Sequence, residues 1–327
     1  MAAGVDGDGL HGIIIVGAGI CGLATALALH RKGISSLVLE RAETLRATGA
    51  GISIQVNGWR ALDQLKVGDE LRKLAMPLSG RDKWEIHDSR ETKVPYRTEV
   101  RCLRRSDLLE TLAKSLPVGS IRFGCQVEAI SLEPVTGFPI VSTNDGTTIK
   151  AKCCPFLPAE DANIRDGEII QQVTMKAMQG FPEEVIDLVG NCDIASLSFT
   201  QLCYRAPWHM AFETFRQGTV TVAGDAMHVM GPFLGQGGSC GLEDAVVLAR
   251  CLAKTMSDGV GHSVDDSKLG KNIEKGLRWY VKERRWRILI LSFQTSHGSA
   301  CFSVFRVQEG VGQKCCGGPL QKQAQSQ

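Results

Sequence analysis

The sequence predicts an α/β fold organised around a parallel sheet, and three observations carry that prediction. A β-branched run, Gly12 to Val16, opens directly into Gly17. An Ala- and Leu-rich stretch follows from Ile20 to Lys32 and stops at Gly33. A second apolar run, Ser36 to Glu40, comes next. Strand, helix and strand in so short a span form a βαβ unit, which almost always crosses over right-handed.

The remaining elements follow in order. Asn57 to Lys66 reads as a helix with Asn57 as its N-cap. Trp84 to His87 and Lys93 to Arg97 read as strands, and Ser106 to Ser115 as a helix with Leu108, Leu109 and Leu112 on one side. Ile121 to Phe123, Val127 to Leu132, Ile140 to Ser142 and Thr147 to Ala151 read as strands, with Asn144-Asp145-Gly146 as a hairpin turn between the last two. After Lys152 the pattern breaks: Cys153-Cys154-Pro155-Phe156-Leu157-Pro158 reads as neither strand nor helix. Helices are expected at Gly167 to Met178, Pro182 to Val189, Gly241 to Thr255 and Ile273 to Phe293, and strands at Ser196 to Tyr204 and Thr219 to Ala223. From Val307 onward apolar content collapses, so that tail is expected to be disordered.

Composition narrows the function. The 327 residues suffice for about two domains. Lys plus Arg number 37 against 35 Asp plus Glu, so nothing calls for nucleic acid or an anionic membrane as partner. No apolar run approaches the ~20 residues of a membrane span. The twelve cysteines show no C-x-x-C spacing, and no secretory leader is visible, so reduced thiols, no metal and a cytoplasmic location are the expectation. Glycine is in excess, with 36 residues, and excess glycine points to backbone that must approach a ligand closely.

Gly17-Ala18-Gly19-Ile20-Cys21-Gly22 fits G-x-G-x-x-G between the first strand and the first helix. In a dinucleotide site the first glycine makes the tight turn, the second admits a pyrophosphate and the third lets helix pack on strand. A second match, Gly7 to Gly12, has no strand before it and is set aside. Glu40 ends the second strand, where a carboxylate can accept both ribose hydroxyls; it would oppose a 2′-phosphate but leaves FAD and NAD both open.

A second block narrows the choice. Thr219 to Ala223 runs into Gly224-Asp225-Ala226-Met227-His228, then Pro232, then Gly235-Gln236-Gly237-Gly238 and Glu243-Asp244-Ala245. The two blocks in this order resemble FAD-dependent monooxygenases of the aromatic-hydroxylase-like superfamily, especially plant monooxygenases akin to zeaxanthin epoxidase and salicylate hydroxylase. The resemblance implies a Rossmann-like FAD-binding domain with a substrate-domain sheet. It implies NAD(P)H as transient reductant, molecular oxygen, an aromatic or isoprenoid-like substrate, and oxygen transfer through a flavin C4a-hydroperoxide. No catalytic side chain is implied.

The implied cofactor residues are Gly17, Ala18, Gly19, Ile20 and Gly22 in the first turn, with Glu40 and Arg41 at the second strand. Gly51 would pass the flavin ring, and Arg105 would reach FAD from a helix start, an ordinary surface arginine being the alternative. The backbone of Val127 would meet adenine, or Val127 is only a core residue. Gly224 and Asp225 would take the ribityl chain, and Gly235, Gly237 and Gly238 would bring backbone N–H groups to the flavin. His228 is read as a packed or turn-stabilising histidine. Arg278, Lys282, Arg284, Arg285 and Arg287 are read as a solvated helix face.

One family feature is missing. An Asp-Gly should follow the strand at Thr147 to Lys152, but Cys153-Cys154-Pro155-Phe156 stands there, and Asp166-Gly167 precedes a helix instead. Gly22 and Asp225 lie 203 residues apart, and the family carries roughly 70 to 80 more in that interval. The sequence therefore resembles a family member with an internal deletion and a truncated substrate sheet. The expected division is a tail (1–11), FAD-binding βαβ part (12–80), substrate-domain hairpin (81–100), FAD-binding domain continued (101–152), substrate-domain remnant (153–210), Gly-Asp segment and helix (211–257), C-terminal helices (258–306) and tail (307–327).

Overall fold

The computed structural model describes residues 10–45, 51–78, 99–156, 167–194, 197, 205–230, 234–257 and 266–302. The expected strands at Trp84 to His87 and Lys93 to Arg97, nearly all of the one at Ser196 to Tyr204, and the expected disordered tail lie outside the described residues.

The βαβ unit forms as expected: β1 (His11–Val16), α1 (Ile20–His30) and β2 (Ser36–Leu39), with β1 and β2 parallel. Alternation along β1 explains its uniformly apolar sequence. Ile13 and Ile15 enter one core cluster with Leu23 and Leu27 of α1, whereas Ile14 and Val16 enter a second cluster on the other side.

The chain continues through β3 (Gly51–Ile54), α2 (Val56–Gln64), α3 (Gly68–Leu74), β4 (Met76–Pro77) and β5 (Arg101–Arg104). These strands form a separate antiparallel sheet in the order β3-β5-β4. Gln55, and not the expected Asn57, holds the N-cap position of α2 without a side-chain capping bond, and the Asn57 side-chain amide instead donates to Gln236 Oε1 at 3.1 Å. Then come α4 (Arg105–Lys114), β6 (Ile121–Arg122), β7 (Val127–Leu132), β8 (Pro139–Thr143) and β9 (Thr148–Phe156). After them stand α5 (Gly167–Ala177), α6 (Glu183–Gly190), α7 (Pro207–Phe212), β10 (Arg216–Gln217), β11 (Val220–Val222), α8 (Asp225–His228), α9 (Gly237–Ser257) and α10 (Asp266–Phe302). The main sheet runs β10-β11-β9-β1-β2-β6, with β8 on β9 and β7 on β8. Neighbours from β11 to β6 are parallel.

β9 corrects the reading of Cys153 to Phe156 as irregular. The strand continues to Phe156 and occupies the centre of the sheet between β1 and β11. Pro155 argued against a central strand because it cannot donate a ladder hydrogen bond. The ladder bends to that constraint: pairing with β11 is continuous from Cys154 to Phe156, whereas pairing with β1 passes from Cys153 to Phe156. Cys153 and Cys154 fill opposite faces, one in each core cluster, and burial raises both thiols well above the ordinary range.

α9 lies across α1 and under α10, and their apolar stripes share one cluster: Leu23 and Leu27 with Leu242, Leu248 and Leu252, and with Ile273, Leu277 and Tyr280. α9 begins earlier than expected, because the glycine run itself forms its first turn. No helix among the described residues is long and apolar enough to cross a membrane.

Candidate functional site

Two helix N-termini converge on one cavity. Gly17, at φ +104°, turns the chain from β1 into α1, and its N–H donates to Leu39 O at 2.8 Å. α9 starts at Gly237 beyond a second turn at Gly235, φ +57°. Each first turn leaves backbone N–H groups without helical partners and carries the positive end of the helix dipole. The cavity between them has a volume of about 460 Å³.

Ten of the expected residues line it: Gly19, Ile20, Gly22, Gly51, Arg105, Gly224, Asp225, Gly235, Gly237 and Gly238. Cys21, Ile52, Ser53, Ala223, Val229, Met230 and Gly241 line it as well, and sequence reasoning had not singled them out as site residues. Gly17, Ala18, Glu40, Arg41 and Val127 stand outside its lining.

Two glycines show what the cavity is shaped for. Neither Gly19 nor Gly237 has a positive φ, and a Cβ on either would meet nothing within 4 Å. Fold and packing therefore tolerate a side chain at both positions; what a Cβ would obstruct is the cavity. Gly238 differs, since its Cβ would lie 2.7 Å from Ile52 Cδ1, so there glycine serves the contact of α9 with β3. A ligand reaching both turns at backbone distance accounts for Gly19 and Gly237.

Asp225 follows Gly224, which holds φ +58° and ψ −142°, a conformation for which glycine is needed. The Asp225 side chain is exposed toward the cavity and has no hydrogen-bond partner among the described residues. Directly behind it stands a buried network, in which His228 Nδ1 alone is left without a hydrogen-bond partner among the described residues. Asp244 of α9, fully buried, accepts from Gly224 N at 2.8 Å and pairs with His228 Nε2 at 2.5 Å. Its other oxygen accepts from Arg284 Nε of α10 at 2.5 Å. Burial works to raise the Asp244 carboxyl, but the charges of His228 and Arg284 outweigh it and hold it at about 2. Burial likewise opposes charge on His228, and Asp244 lifts its imidazole above the ordinary value. His228 is thus a packed, turn-stabilising group, as the sequence suggested, and it does not line the cavity.

The basic cluster on α10 is corrected in part: Arg278, Lys282 and Arg287 are exposed, as a solvated face requires, whereas Arg284 and Arg285 are not. Arg284 is only 4% exposed; it also donates to Glu243 Oε2 at 2.7 Å and to Cys240 O. Arg285 donates to the carbonyls of Met210, Ala211 and Glu213. At these two positions guanidinium groups with fixed acceptors replace the solvated face.

Glu40 braces the first turn. Its two oxygens accept from Ala18 N at 2.7 Å and Ala42 N at 2.9 Å. The chain before β7 lies against it, with Cys125 N donating to Glu40 O and Gly124 N to Ala42 O. Val127 is half-buried at the start of β7 and packs against the second core cluster. Arg105 is the first residue of α4 and reaches the cavity from that helix start.

Comparison with known proteins agrees with this geometry. The family described as "FAD binding domain" matches residues 11–154 and 162–267. Monooxygenase 1 of Arabidopsis thaliana is 40% identical, over 87% of this chain and 89% of its own. Monooxygenase 2 of the same plant is 31% identical, over 88% of each chain. The alignment with the first runs over 355 positions but uses 87% of 327 residues, roughly 284, so about 70 positions face no residue of this chain. Klebsiella pneumoniae HpxO complexed with FAD and uric acid shares the fold, with TM-score 0.62 and 17% identity, covering 91% of this chain and 90% of that one.

Proposed function

The chain belongs to the FAD binding domain family, and from that premise we propose that it is an NAD(P)H-using monooxygenase of hydroxylase or epoxidase type whose oxygen transfer is impaired. The observation that carries the cofactor assignment is a single cavity touching both glycine turns, lined by an Asp225 carboxylate without a hydrogen-bond partner among the described residues. The flavin, when bound, supplies acceptance of hydride and activation of molecular oxygen.

The chain's residues supply binding and orientation. The N-terminus of α1, with Gly17, Ala18, Gly19, Ile20 and Gly22, receives the pyrophosphate. Glu40 and Arg41 take the adenosine ribose, Glu40 using the lone pairs left after its two backbone bonds. Val127 marks the adenine end. Asp225 accepts from a ribityl hydroxyl in a charge-assisted bond. The N-terminus of α9 places N–H donors and a positive dipole end toward the ring, where they favour negative charge on its reduced form. Arg105 adds a fixed cation, and Gly51 lets β3 pass close to the ring.

Impairment is supported by the positions this chain lacks. The family match is interrupted between 154 and 162, immediately after the point where the expected Asp-Gly is absent. Among the described residues the second sheet has three strands, and its edge strand β4 is two residues long. A site that did not shelter bound flavin from water would favour peroxide release over oxygenation of an aromatic or isoprenoid-like substrate. The same gap favours a second reading, a flavin-binding protein without turnover. We assign the chain to a cytosol-like compartment on its scattered thiols.

The test is purification followed by an absorption spectrum and release of the cofactor. FAD, NADPH and phenolic or isoprenoid substrates are then supplied, and NADPH consumed, peroxide formed and product are compared. The proposal expects slow NADPH oxidation matched by peroxide. Tight coupling of NADPH to product overturns the impairment. No NADPH oxidation by the flavin-loaded protein establishes the second reading.

A further inference from the structure

The Asp244 carboxylate joins two elements that otherwise have separate tasks. One oxygen holds the Gly224 peptide and His228; the other holds Arg284, 40 positions later on α10. The three side chains are nearly inaccessible, His228 at 1%, Asp244 at 0% and Arg284 at 4% exposure. The peptide they hold is the one whose glycine, at φ +58°, aims the next residue, Asp225, at the cavity. Arg284 itself is absent from the cavity lining.

We propose that Arg284 is a positioning residue of the flavin site: through Asp244 it fixes the Gly224–Asp225 turn, so that α10 contributes to cofactor binding without touching the cofactor. The proposal rests on the reading of Asp225 as a ribityl ligand. Neutralising a buried carboxylate would need only one cation on either oxygen. Here the guanidinium takes Oδ1 and leaves Oδ2 to the turn, while its other nitrogens reach Glu243 and the Cys240 carbonyl. That set of bonds orients Asp244 about a fixed direction, which a flexible ammonium cannot reproduce. Gly224 has no side chain of its own to restrict its backbone, so the bond to Asp244 supplies the restriction.

The experiment is a double-mutant cycle on FAD affinity. Apoprotein is titrated with FAD for the parent, Arg284→Gln, Arg284→Lys, Asp225→Ala and the two double variants, and the urea midpoint of each apoprotein is recorded. A positioning role predicts that Arg284→Gln weakens FAD roughly tenfold in the parent but less than about twofold in Asp225→Ala, the signature of residues acting as one unit. Arg284→Lys should weaken FAD by an intermediate factor with the same non-additivity, and it carries the cycle if Arg284→Gln does not fold. Equal weakening in both backgrounds, or a lowered urea midpoint with unchanged affinity, reduces Arg284 to a structural charge and overturns the proposal. An unchanged affinity in Asp225→Ala alone overturns the Asp225 reading and this inference with it.

Discussion

The cavity walls and the α5–α6 hairpin are both built from helices, and they treat their apolar residues oppositely. In α1 every residue from Gly22 to Leu29 is buried, and α9 buries Leu242, Val247, Leu248 and Leu252. In α5 only Gly167 and Ile170 are buried, and in α6 nothing is. Val173 stands 58% exposed and Leu188 73%. The hairpin is held by local bonds: the Gln171 amide donates to the carbonyls of Val189 and Gly190, and Thr174 Oγ1 to Ile170 O. Helical periodicity thus survives in a segment whether or not its apolar face is covered, because turn-by-turn bonds suffice to form it. The hairpin follows the interruption of the family match between 154 and 162.

The contrast can be tested by substitution. The largest effect is expected from Asp244→Leu, which strands Arg284 and His228 in the core; breaking one side of a buried charge network costs about 3–5 kcal/mol. Urea unfolding measures it, and a loss under about 1 kcal/mol would show that the network is not a structural centre.

Next comes a matched pair. Leu27→Ala in α1 should cost about 2–5 kcal/mol, as a fully buried leucine does. Leu188→Ala in α6 should stay within about 0.5 kcal/mol. Similar losses at both sites would mean that the hairpin is covered in solution.

Asp225→Ala and Glu40→Ala should each weaken FAD by roughly 1.5–3 kcal/mol. Asp225→Ala should leave apoprotein stability nearly unchanged, since its side chain has no hydrogen-bond partner among the described residues, whereas Glu40→Ala also frees two backbone donors. Calorimetric titration alongside thermal unfolding separates the two, and equal stability losses would contradict the distinction.

pH offers a further test. The Asp244 carboxyl is depressed to about 2, so its contribution is present above the unfolded value near ~4 and is lost as pH falls toward ~2. His228 is shifted upward, so its contribution is complete below ~6.5 and lost as pH rises through its folded value. Thermal midpoints should therefore peak between about pH 4 and 6.5, and His228→Asn should remove the alkaline decline. An alkaline limb unchanged in that variant would assign it elsewhere.

The smallest change in stability is expected for Gly19→Ala, whose methyl group would enter open space. Stability should hold within about 0.5 kcal/mol while FAD binding weakens. Retained affinity would show that no ligand approaches that backbone.

What could be read in advance follows physical lines. The β1–α1–β2 unit was legible because periodicity, glycine turns and burial all agree there. Eight cavity residues were legible through glycine spacing and the Gly-Asp resemblance, and Gly51 and Arg105 through the resemblance of the segments around them. β9 was misread because Pro155 is judged by its missing donor, whereas a strand with two neighbours can leave one side of the ladder unpaired at that point. Asp244 was seen within a motif but given no task, and Arg284 was assigned to solvent. Both occupy apolar stripes, Asp244 between Cys240 and Leu248, Arg284 between Tyr280 and Ile288. Opposite charges at two core positions are a signal of mutual burial, and reading α10 as a surface helix concealed it.

The reach of Arg284 across the chain also has a consequence for biosynthesis. A ribosome delivers residues in order, so the Gly17 turn and Asp225 emerge before α10 exists. Until residue 284 is available, Asp244 lacks the guanidinium that it holds in the finished fold. With Arg284 in the positioning role proposed above, flavin capture by the nascent protein would be a late event, and transcripts ending ahead of α10 would yield polypeptides with both glycine turns but an Asp244 without its guanidinium.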